Sequence, residues 1–567
     1  MEMRARTHLA TLTILLLLPW LLAVECSSQV APRTALANKT PEPIAERLQA
    51  ITASGTLEDL RWPNFTDYRQ STQKLYKATN YKAVWIRDGQ ASPQALAVIG
   101  EFAGSQKRGL IPEDYDASRW KQRLSGLKVS SGNPDTQARF DAALTVCAMR
   151  YISDLHSGRV NPEHSEFSIT IDQRKYDLPE FVTEKVLAAS NVSELFDAVE
   201  PQYAGYKRTE AVLQTYLTLA SQDHGAPLPG IKKSVAIGGA YPGIEQLSQH
   251  LRLRGDLPQS TVVNTKAGIY DGRLVEAVKR FQARHGLQAD GVLGQETLRH
   301  LNTPLSDRVL QLEDALERWR WLPAGYPHLP VVVNIPEYIL RTFVSDHKIA
   351  LRMNVVVGKE LDQTPVFAKE MKYIVFRPYW NVPEDITSAE IVPALRKNKR
   401  YLARQNFEVT DQNGRVVTRG AVTRSILAQL LSGKLLVRQR PGPENSLGLV
   451  KFIFPNDENV YLHSTPSQQL FSEAHRDFSH GCIRVEKPVE LATWLLHDQP
   501  KWTQATITAA MNSDPDNQQV NLTSPVPVVI VYVTAVVEEN GEVYFFDDVY
   551  GHDRSMNAAL AKGQPYR

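Results

Sequence analysis

The residue types best suited to chemistry lie in one short stretch of the C-terminal third. His463 precedes a segment that reads Ser-His-Gly-Cys-Ile-Arg at positions 479–484. A free cysteine has a pKa of about 8.5, so little of it is thiolate near neutral pH, and an imidazole that takes the proton makes the sulfur available for attack. The pattern predicts a thiolate nucleophile at Cys482 with His463 as its general base.

The neighbours of this pair are suited to positioning it. Tyr461 and His463 are two residues apart, so on a strand both would face the same side while Leu462 faces a core. Gly481 would let a carbonyl carbon approach the backbone closely, and the amides of Gly481 and Cys482 could donate to the oxyanion that forms. We therefore expect a site held on strands of a sheet.

Two other uses of these residues are open. Two histidines and a cysteine could bind zinc, and a catalytic zinc site needs only three protein ligands, whereas a structural one usually takes four and no second cysteine is close. Cys482 could also be a buried structural thiol, although its Ser-His-Gly neighbours are polar. We expect a reactive thiol, with no metal and no cofactor.

These motifs resemble a known family. A histidine followed by Ser-His-Gly-Cys, a hydrophobic residue and a polar residue is similar to the signature of the YkuD-like L,D-transpeptidases. Arg484 stands where many relatives have asparagine, and arginine also occurs there in the periplasmic branch. Other segments that resemble the larger periplasmic members are Val357-Gly358-Lys359 with Thr364-Pro365, Pro378-Tyr379-Trp380-Asn381-Val382-Pro383, and Pro441-Gly442-Pro443 with Asn445 and Leu447-Gly448.

The resemblance implies a role for each matching residue. Cys482 would form a thioester, and His463 would be the general base. The supporting residues that it implies are His480 as a hydrogen-bonding residue beside the acyl site, Ser464 and Ser479 as orienters of the two imidazoles, Tyr461 near the oxyanion, and Gly481 and Arg484 beside the nucleophile.

The implied substrate is the tetrapeptide stem of peptidoglycan. The thiolate would attack the carbonyl of the third residue and expel the terminal D-alanine, and a side-chain amine of another stem would resolve the thioester into a 3-to-3 crosslink. If water resolves it, the same site is an L,D-carboxypeptidase. A noncatalytic scaffold that holds stem peptides and glycan strands is the alternative from a different class. The spacing of the residues does not decide between amine and water.

The length and composition of the chain limit which class of protein it can be. The chain has 567 residues, 43% of them apolar, and a formal net charge of +2. The length predicts three or four domains at about 150 residues each. A nucleic-acid binder of this size would carry a basic stripe, and the sequence has none, so we expect no nucleic-acid partner.

The N-terminal residues 1–28 read as a secretion signal or an anchor. Arg4 and Arg6 precede an apolar run from Leu9 to Val24. That run would span about 24 Å as a helix, short of the ~30 Å hydrocarbon core, so a removed signal is favoured and retention in the inner membrane stays open. Cys26 follows a glutamate, which fits a lipoprotein cleavage box poorly. We expect an exported protein of the periplasm or cell envelope.

Cysteine usage agrees with export. An oxidising compartment would allow a disulfide between Cys147 and Cys482. However, Cys147 lies in an apolar helical run at 142–149, which predicts that it is buried. Cys482 is then left as a free thiol.

The predicted fold is an α+β multidomain chain with a mainly β catalytic domain, which its short β-branched strands indicate is an antiparallel sandwich or barrel. The predicted regions are a linker at 29–44, a helical scaffold domain at 45–239, a small three-helix module at 240–305, a connecting helix at 306–325, the catalytic domain at 326–505 with a lid insert at 384–445, and a C-terminal extension at 506–567 that packs on the body.

The module and the lid each suggest contacts with the cell wall. Leu274, Val278 and Phe281 form one helical stripe, and their surroundings resemble the small peptidoglycan-binding module, although a purely structural role for this copy is open. In the lid, Arg438 and Arg440 are candidates to meet carboxylates of stem peptides; an ordinary solvated face is the alternative.

Overall fold

The computed structural model describes residues 43–564, apart from 131, 163–166, 169–176, 346–347, 399 and 514. The predicted signal or anchor at 1–28 and most of the predicted linker at 29–44 lie outside the described residues. Within the described part of the chain, no helix combines the length and the apolar character needed to span a membrane.

The first region is mainly helical and packs around one long helix. That helix, α5 (Pro134–Ser157), lies at the centre of the region, and its residue Cys147 is fully buried and forms no disulfide. Asn133 caps α5 by accepting the amides of Asp135 and Thr136, and Gly158 ends it with φ +81°. The elements are α1 (Pro43–Ser54), α2 (Arg69–Ala78), α3 (Pro93–Ala103), α4 (Trp120–Val129), α5 (Pro134–Ser157), α6 (Leu178–Glu180), α7 (Val192–Val199) and α8 (Ala204–Gln222), with strands β1 (Ile86–Arg87), β2 (Gln90–Ala91) and β3 (Phe167–Ser168).

The small module contains α9 (Ile244–Leu253), α10 (Gly272–Arg284) and α11 (Gln295–Leu301). The predicted stripe of Leu274, Val278 and Phe281 is fully buried in its core. Asp271 caps α10 by accepting two backbone amides, which fixes where the helix begins. The connecting helix, α12 (Leu305–Arg320), packs against α8.

The catalytic region is built on strands. They are β4 (Val331–Asn334), β5 (Ile339–Ser345), β6 (Lys348–Gly358), β7 (Val366–Phe376), β8 (Trp380–Asn381), β9 (Phe407–Thr410), β10 (Val416–Thr418), β11 (Leu436–Gln439), β12 (Val450–Ile453), β13 (Leu462–His463), β14 (Asp477–Ser479), β15 (Ile483–Val485), β16 (Gln518–Val531), β17 (Ala535–Val537) and β18 (Val543–Phe545).

Among the described residues, eight of these strands close into a barrel in the order β7, β12, β13, β15, β6, β5, β4 and β16, with β16 returning to β7. The neighbouring strands are antiparallel except for two parallel pairs, β13 with β15 and β4 with β16. The predicted C-terminal extension therefore supplies one strand of the barrel. Inward-facing residues such as Leu340, Phe376 and Ile530 are fully buried, as the two-residue period of a strand requires.

The predicted lid insert forms a small unit with its own core. Its strands β9 to β11 make a separate four-stranded sheet with β8, which precedes the insert. The predicted Asn-Gly turn at 413–414 joins β9 to β10. Its helices are α13 (Glu384–Ile386), α14 (Val392–Lys397), α15 (Tyr401–Arg404) and α16 (Arg424–Leu431), with a π-helical turn at Thr387–Ile391. Val392, Leu402 and Val437 pack together inside it.

The remaining helices are α17 (Pro488–Leu495), α18 (Gln504–Asn512) and α19 (His552–Leu560). Leu491 and Leu495 of α17 are buried against the barrel core. The hairpin of β17 and β18 packs instead with α8 and α12. The α+β multidomain class predicted from the sequence is confirmed.

Candidate active site

Two neighbouring strands bring the predicted nucleophile and base together. β13 and β15 run parallel, with Leu462 opposite Ile483, and the Ile483 amide donates to the Tyr461 carbonyl at 3.1 Å. Leu462 and Ile483 are fully buried in the barrel core. Because side chains alternate along a strand, the residues on either side of them face outward. The outward set is Tyr461, His463, Cys482 and Arg484.

The hydrogen bonds of His463 fix its tautomer. Nδ1 lies 2.6 Å from the Ser464 carbonyl oxygen. A carbonyl can only accept, so in the neutral imidazole Nδ1 carries the proton. Ser464 thus orients this imidazole through its backbone oxygen, and its own amide donates to Val450 of β12 at 2.9 Å.

His463 is neutral at ordinary pH. The side chain is only 4% exposed. Burial, followed by the positive charge of Arg484, lowers the pKa of His463 to about 3, although hydrogen bonds to the Ser464 and Leu447 carbonyls act in the opposite direction. A neutral imidazole is the form that a general base requires.

Cys482 is a free, partly exposed thiol. Its sulfur lies 3.8 Å from the Asn459 carbonyl oxygen. Burial raises the pKa of the Cys482 thiol, while hydrogen bonding by the backbone and side chain of Tyr461 and the charges of Arg484 and Lys451 act against that rise. Burial therefore favours the uncharged form of both the Cys482 thiol and the His463 imidazole.

The turn before Cys482 is fixed by Ser479 and Thr364. The Ser479 hydroxyl accepts from the Gly481 amide at 3.2 Å and donates to the Cys482 carbonyl at 2.6 Å. The Thr364 hydroxyl donates to the Gly481 carbonyl at 2.8 Å. Gly481 has φ +103°, a conformation that favours glycine. Ser479 thus holds the turn rather than an imidazole, and one of the two amides predicted for the oxyanion is engaged.

His480 points to the lid rather than into the barrel. Its Nε2 lies 2.9 Å from Oε1 of Glu390, a residue of the π-helical turn at Thr387–Ile391. The side chains are 35% and 54% exposed, so this is a surface contact. It links the lid to the residue that lies two before Cys482. Glu390 was not predicted from the sequence, because nothing in the chain pattern connects positions 90 residues apart.

Lys451 is a second residue at the site that was not predicted. It lies opposite His463 in the antiparallel pair of β12 and β13, and its Nζ is 5.9 Å from the centroid of the Tyr461 ring. The only signal in the sequence is a lysine between the apolar residues Val450 and Phe452. That alternation predicts an outward-facing lysine but not which strand it lies beside.

The lid arginines have other partners. Arg438 Nε donates to Glu408 Oε1 at 2.6 Å, and its guanidinium lies 4.4 Å from the Tyr379 ring centroid. Glu408 is only 1% exposed and also accepts from Arg419 at 2.8 Å. Arg438 therefore stabilises the lid sheet, which favours the structural interpretation for this residue. The Arg440 amide donates to the Asn406 carbonyl at 2.9 Å.

Among the described residues, one group of side chains away from Cys482 lies close enough together to hold a metal ion. Glu296, His300 and Asp547 bring three ligand atoms within 4.8 Å of one another. The guanidinium of Arg299 lies among them, 2.8 Å from Glu296 and 2.8 Å from Asp547. A cation already neutralises these carboxylates. His463, His480 and Cys482 form no such group among the described residues.

Comparisons with known proteins agree with the geometry. Residues 70–213 match a family model described as a scaffold domain, residues 241–301 one described as a "putative peptidoglycan binding domain", and residues 330–530 the YkuD model, an L,D-transpeptidase catalytic domain. A Haemophilus influenzae protein named "Putative L,D-transpeptidase" is 32% identical over 232 residues, which cover 41% of this chain and 46% of that relative. The match spans about half of the relative's length. The family resemblance predicted from the motifs is confirmed.

Proposed function

We propose that this protein, which carries an L,D-transpeptidase catalytic domain and a peptidoglycan-binding domain, makes 3-to-3 crosslinks between peptidoglycan stems through a thioester on Cys482. The observation that carries the proposal is the orientation of His463. Its Nδ1–H donates to the Ser464 carbonyl, and we assign Nε2 as the nitrogen that acts as the base.

The first half-reaction forms the acyl-enzyme. His463 Nε2 takes the thiol proton as the Cys482 sulfur attacks the carbonyl carbon of the third stem residue. We assign the Cys482 amide and the Tyr461 hydroxyl as donors to the oxyanion, and the loss of one such donor typically raises the barrier by ~3 kcal/mol. The tetrahedral intermediate collapses, its C–N bond breaks, and the imidazolium gives its proton to the departing amine of D-alanine.

The second half-reaction transfers the acyl group. A side-chain amine of another stem attacks the thioester carbon and loses a proton to His463 Nε2. The C–S bond then breaks, the new amide is released, and the imidazolium returns the proton to sulfur. Water in place of the amine would yield a shortened stem, which is the carboxypeptidase reaction.

The other domains support a role at the cell wall. A module that holds peptidoglycan would keep the site near its substrate and raise the local concentration of stems. Peptidoglycan, as stem peptides and glycan strands, is the partner that we propose. Both cell-wall domains indicate a place in the envelope or periplasm, and export by the N-terminal segment is part of the proposal.

The test is product analysis by mass spectrometry. The purified protein and a Cys482→Ala variant are each incubated with tetrapeptide-containing muropeptides. We expect 3-to-3 linked dimers and free D-alanine with the wild type only. Tripeptides with no dimers would support the carboxypeptidase instead, and equal products from both proteins would refute the catalytic assignment.

A further inference from the structure

Two cations flank the base in one row across three strands. Lys451 on β12 lies opposite His463 on β13, and His463 lies opposite Arg484 on β15. All three residues face outward, because Phe452, Leu462 and Ile483 fill the core from the alternate positions. Cys482 and Tyr461 occupy the next row. The thiol therefore lies beside two positive charges as well as beside its base.

Neither cation has an acidic partner among the described residues. No ion pair involves Lys451 or Arg484, and the Nε–H of Arg484 is buried with no hydrogen-bond acceptor. Burial lowers the pKa of both groups, and the sulfur of Cys482 is the one negative group that opposes this effect. A partly buried cation is costly unless an anion neutralises it.

Two other arginines of this domain have the carboxylate partner that Lys451 and Arg484 lack in the described part of the chain. Arg341 binds Glu337 at 2.6 Å, and Arg438 binds Glu408 at 2.6 Å. The domain thus supplies carboxylates to these two arginines, whereas Lys451 and Arg484 have none among the described residues. The neighbouring thiol of Cys482 is neutral at rest, so it does not act as an anionic partner for either cation. The arrangement is that of a binding site for an anion that arrives with the substrate.

The chemistry of the donor stem identifies that anion. Its terminal D-alanine ends in a carboxylate only three bonds beyond the carbonyl carbon that the sulfur attacks. Consecutive residues of a peptide are about 3.8 Å apart, and neighbouring strands are about 4.8 Å apart. A donor with its third carbonyl at Cys482 therefore brings its terminal carboxylate within reach of the adjacent cations.

We propose that Lys451 and Arg484 form a carboxylate subsite that recognises the free C-terminus of the donor stem. The inference rests on the proposed thioester chemistry and adds a specificity determinant to it. The subsite selects stems that end at the leaving residue, because a longer or capped stem presents no carboxylate at this point. Charge-assisted hydrogen bonds to a carboxylate are about twice as strong as neutral ones.

The experiment compares two donors that differ only in this group. Acylation of Cys482 is followed by intact-protein mass spectrometry with a tetrapeptide and with the same tetrapeptide as its C-terminal amide. Both donors give the same acyl-enzyme, so the ratio of their kcat/KM values reports the carboxylate alone. We expect the wild type to favour the free acid by about 10- to 100-fold, and that ratio to fall towards one in Lys451→Met and in Arg484→Gln.

Lys501→Met is the matched control. Lys501 also lies over an aromatic ring, 5.4 Å from the Trp502 centroid, but it is exposed in the loop between α17 and α18. Its ratio should equal that of the wild type.

An equal rate for acid and amide in the wild type would overturn the subsite, and that measurement needs no variant to fold. A ratio unchanged in the two variants, with both rates reduced alike, would instead assign the cations to the oxyanion and also overturn the proposal. No acylation of the wild type by either donor would refute the thioester function itself, so the two failures are distinct.

Discussion

At the scale of single residues, the Cys482 thiol and the His463 imidazole are both uncharged near neutral pH. Burial favours the uncharged form of both groups, so the pKa of Cys482 is raised and that of His463 is lowered. In the proposed mechanism, the thiol therefore loses its proton during attack and not before it.

The pH dependence of alkylation tests this state. Because the pKa of the Cys482 thiol lies above its ordinary value, the thiolate fraction and the iodoacetamide rate should rise about tenfold per pH unit from pH 6 to 8 without a plateau. Peptide mass spectrometry reports the rate. Cys147 is the internal control, since it is fully buried and burial raises its pKa to about 12. A plateau below pH 7 would indicate a preformed thiolate–imidazolium pair.

Replacing the base should slow acylation without unfolding the protein. His463→Gln removes the acceptor nitrogen, and loss of a general base typically costs about 10²- to 10⁴-fold in rate. His497→Gln is the control, because its Nδ1 also donates to a backbone carbonyl, that of Trp494 at 2.9 Å, at the end of α17. The rate of tetrapeptide acylation is the measurement. A loss below tenfold in His463→Gln would remove this residue from its role.

The sequence was informative about residues whose geometry is local. The two-residue period of a strand places Leu462 in the core and its two neighbours outward, as the structure has them. Lys451 could not be predicted as part of the site, because its place depends on which strand pairs with β13. Ser479 has the predicted position but holds a backbone turn, a detail that depends on the positive φ of Gly481.

At the scale of elements, a hydrogen bond between Glu390 and His480 joins the lid insert to the predicted catalytic motif. Glu390 lies at the π-helical turn, and His480 lies just before the turn that presents Cys482. An exposed pair of this kind contributes at most about 1 kcal/mol. It therefore biases the resting position of the insert by no more than that amount.

Glu390→Gln should loosen the lid selectively. Because an exposed pair contributes about 0.2–1 kcal/mol, amide hydrogen exchange across 384–398 should become up to about fivefold faster, with no change in the barrel strands. Asp385→Asn is the control, since it lies in the same segment and forms no ion pair with the described residues. Unchanged lid exchange in Glu390→Gln, measured by mass spectrometry, would show that this pair does not hold the lid.

The elements also show where prediction from the sequence ends. Strand content and the lid hairpin follow from local patterns of β-branched residues and an Asn-Gly turn. The closure of the barrel does not, because β16 pairs with β4 and β7, whose residues are well over 100 positions away in the chain. Pairing over that distance leaves no local signal, and β16 was therefore predicted as part of a separate extension.

At the scale of the whole molecule, polar contacts join the small module at 240–305 to the C-terminal residues. Buried Arg284 of α10 binds Asp256 within the module at 2.7 Å and donates to the Val543 carbonyl of β18 at 3.1 Å. On the surface, Arg299 of α11 binds Asp547 at 2.8 Å. These contacts predict that the module and the body unfold together.

Arg284→Met should uncouple the module. The change leaves Asp256, which is only 2% exposed, without its ion pair, and breaking a buried pair typically costs about 3–5 kcal/mol. Calorimetry should show a new transition at lower temperature. Arg280→Met is the control, because Arg280 is exposed on the same helix and binds the backbone oxygen of Asp256. A single unshifted transition in Arg284→Met would contradict the coupling.

The central claim is that Cys482 carries the acyl group of a stem peptide. Intact-protein mass spectrometry after incubation with a tetrapeptide tests it directly. We expect the mass of the protein to increase by the mass of the donor minus that of D-alanine. The acyl group should lie on the peptide that contains Cys482, and an amine should release it. No adduct, or an adduct on a different residue, would contradict it.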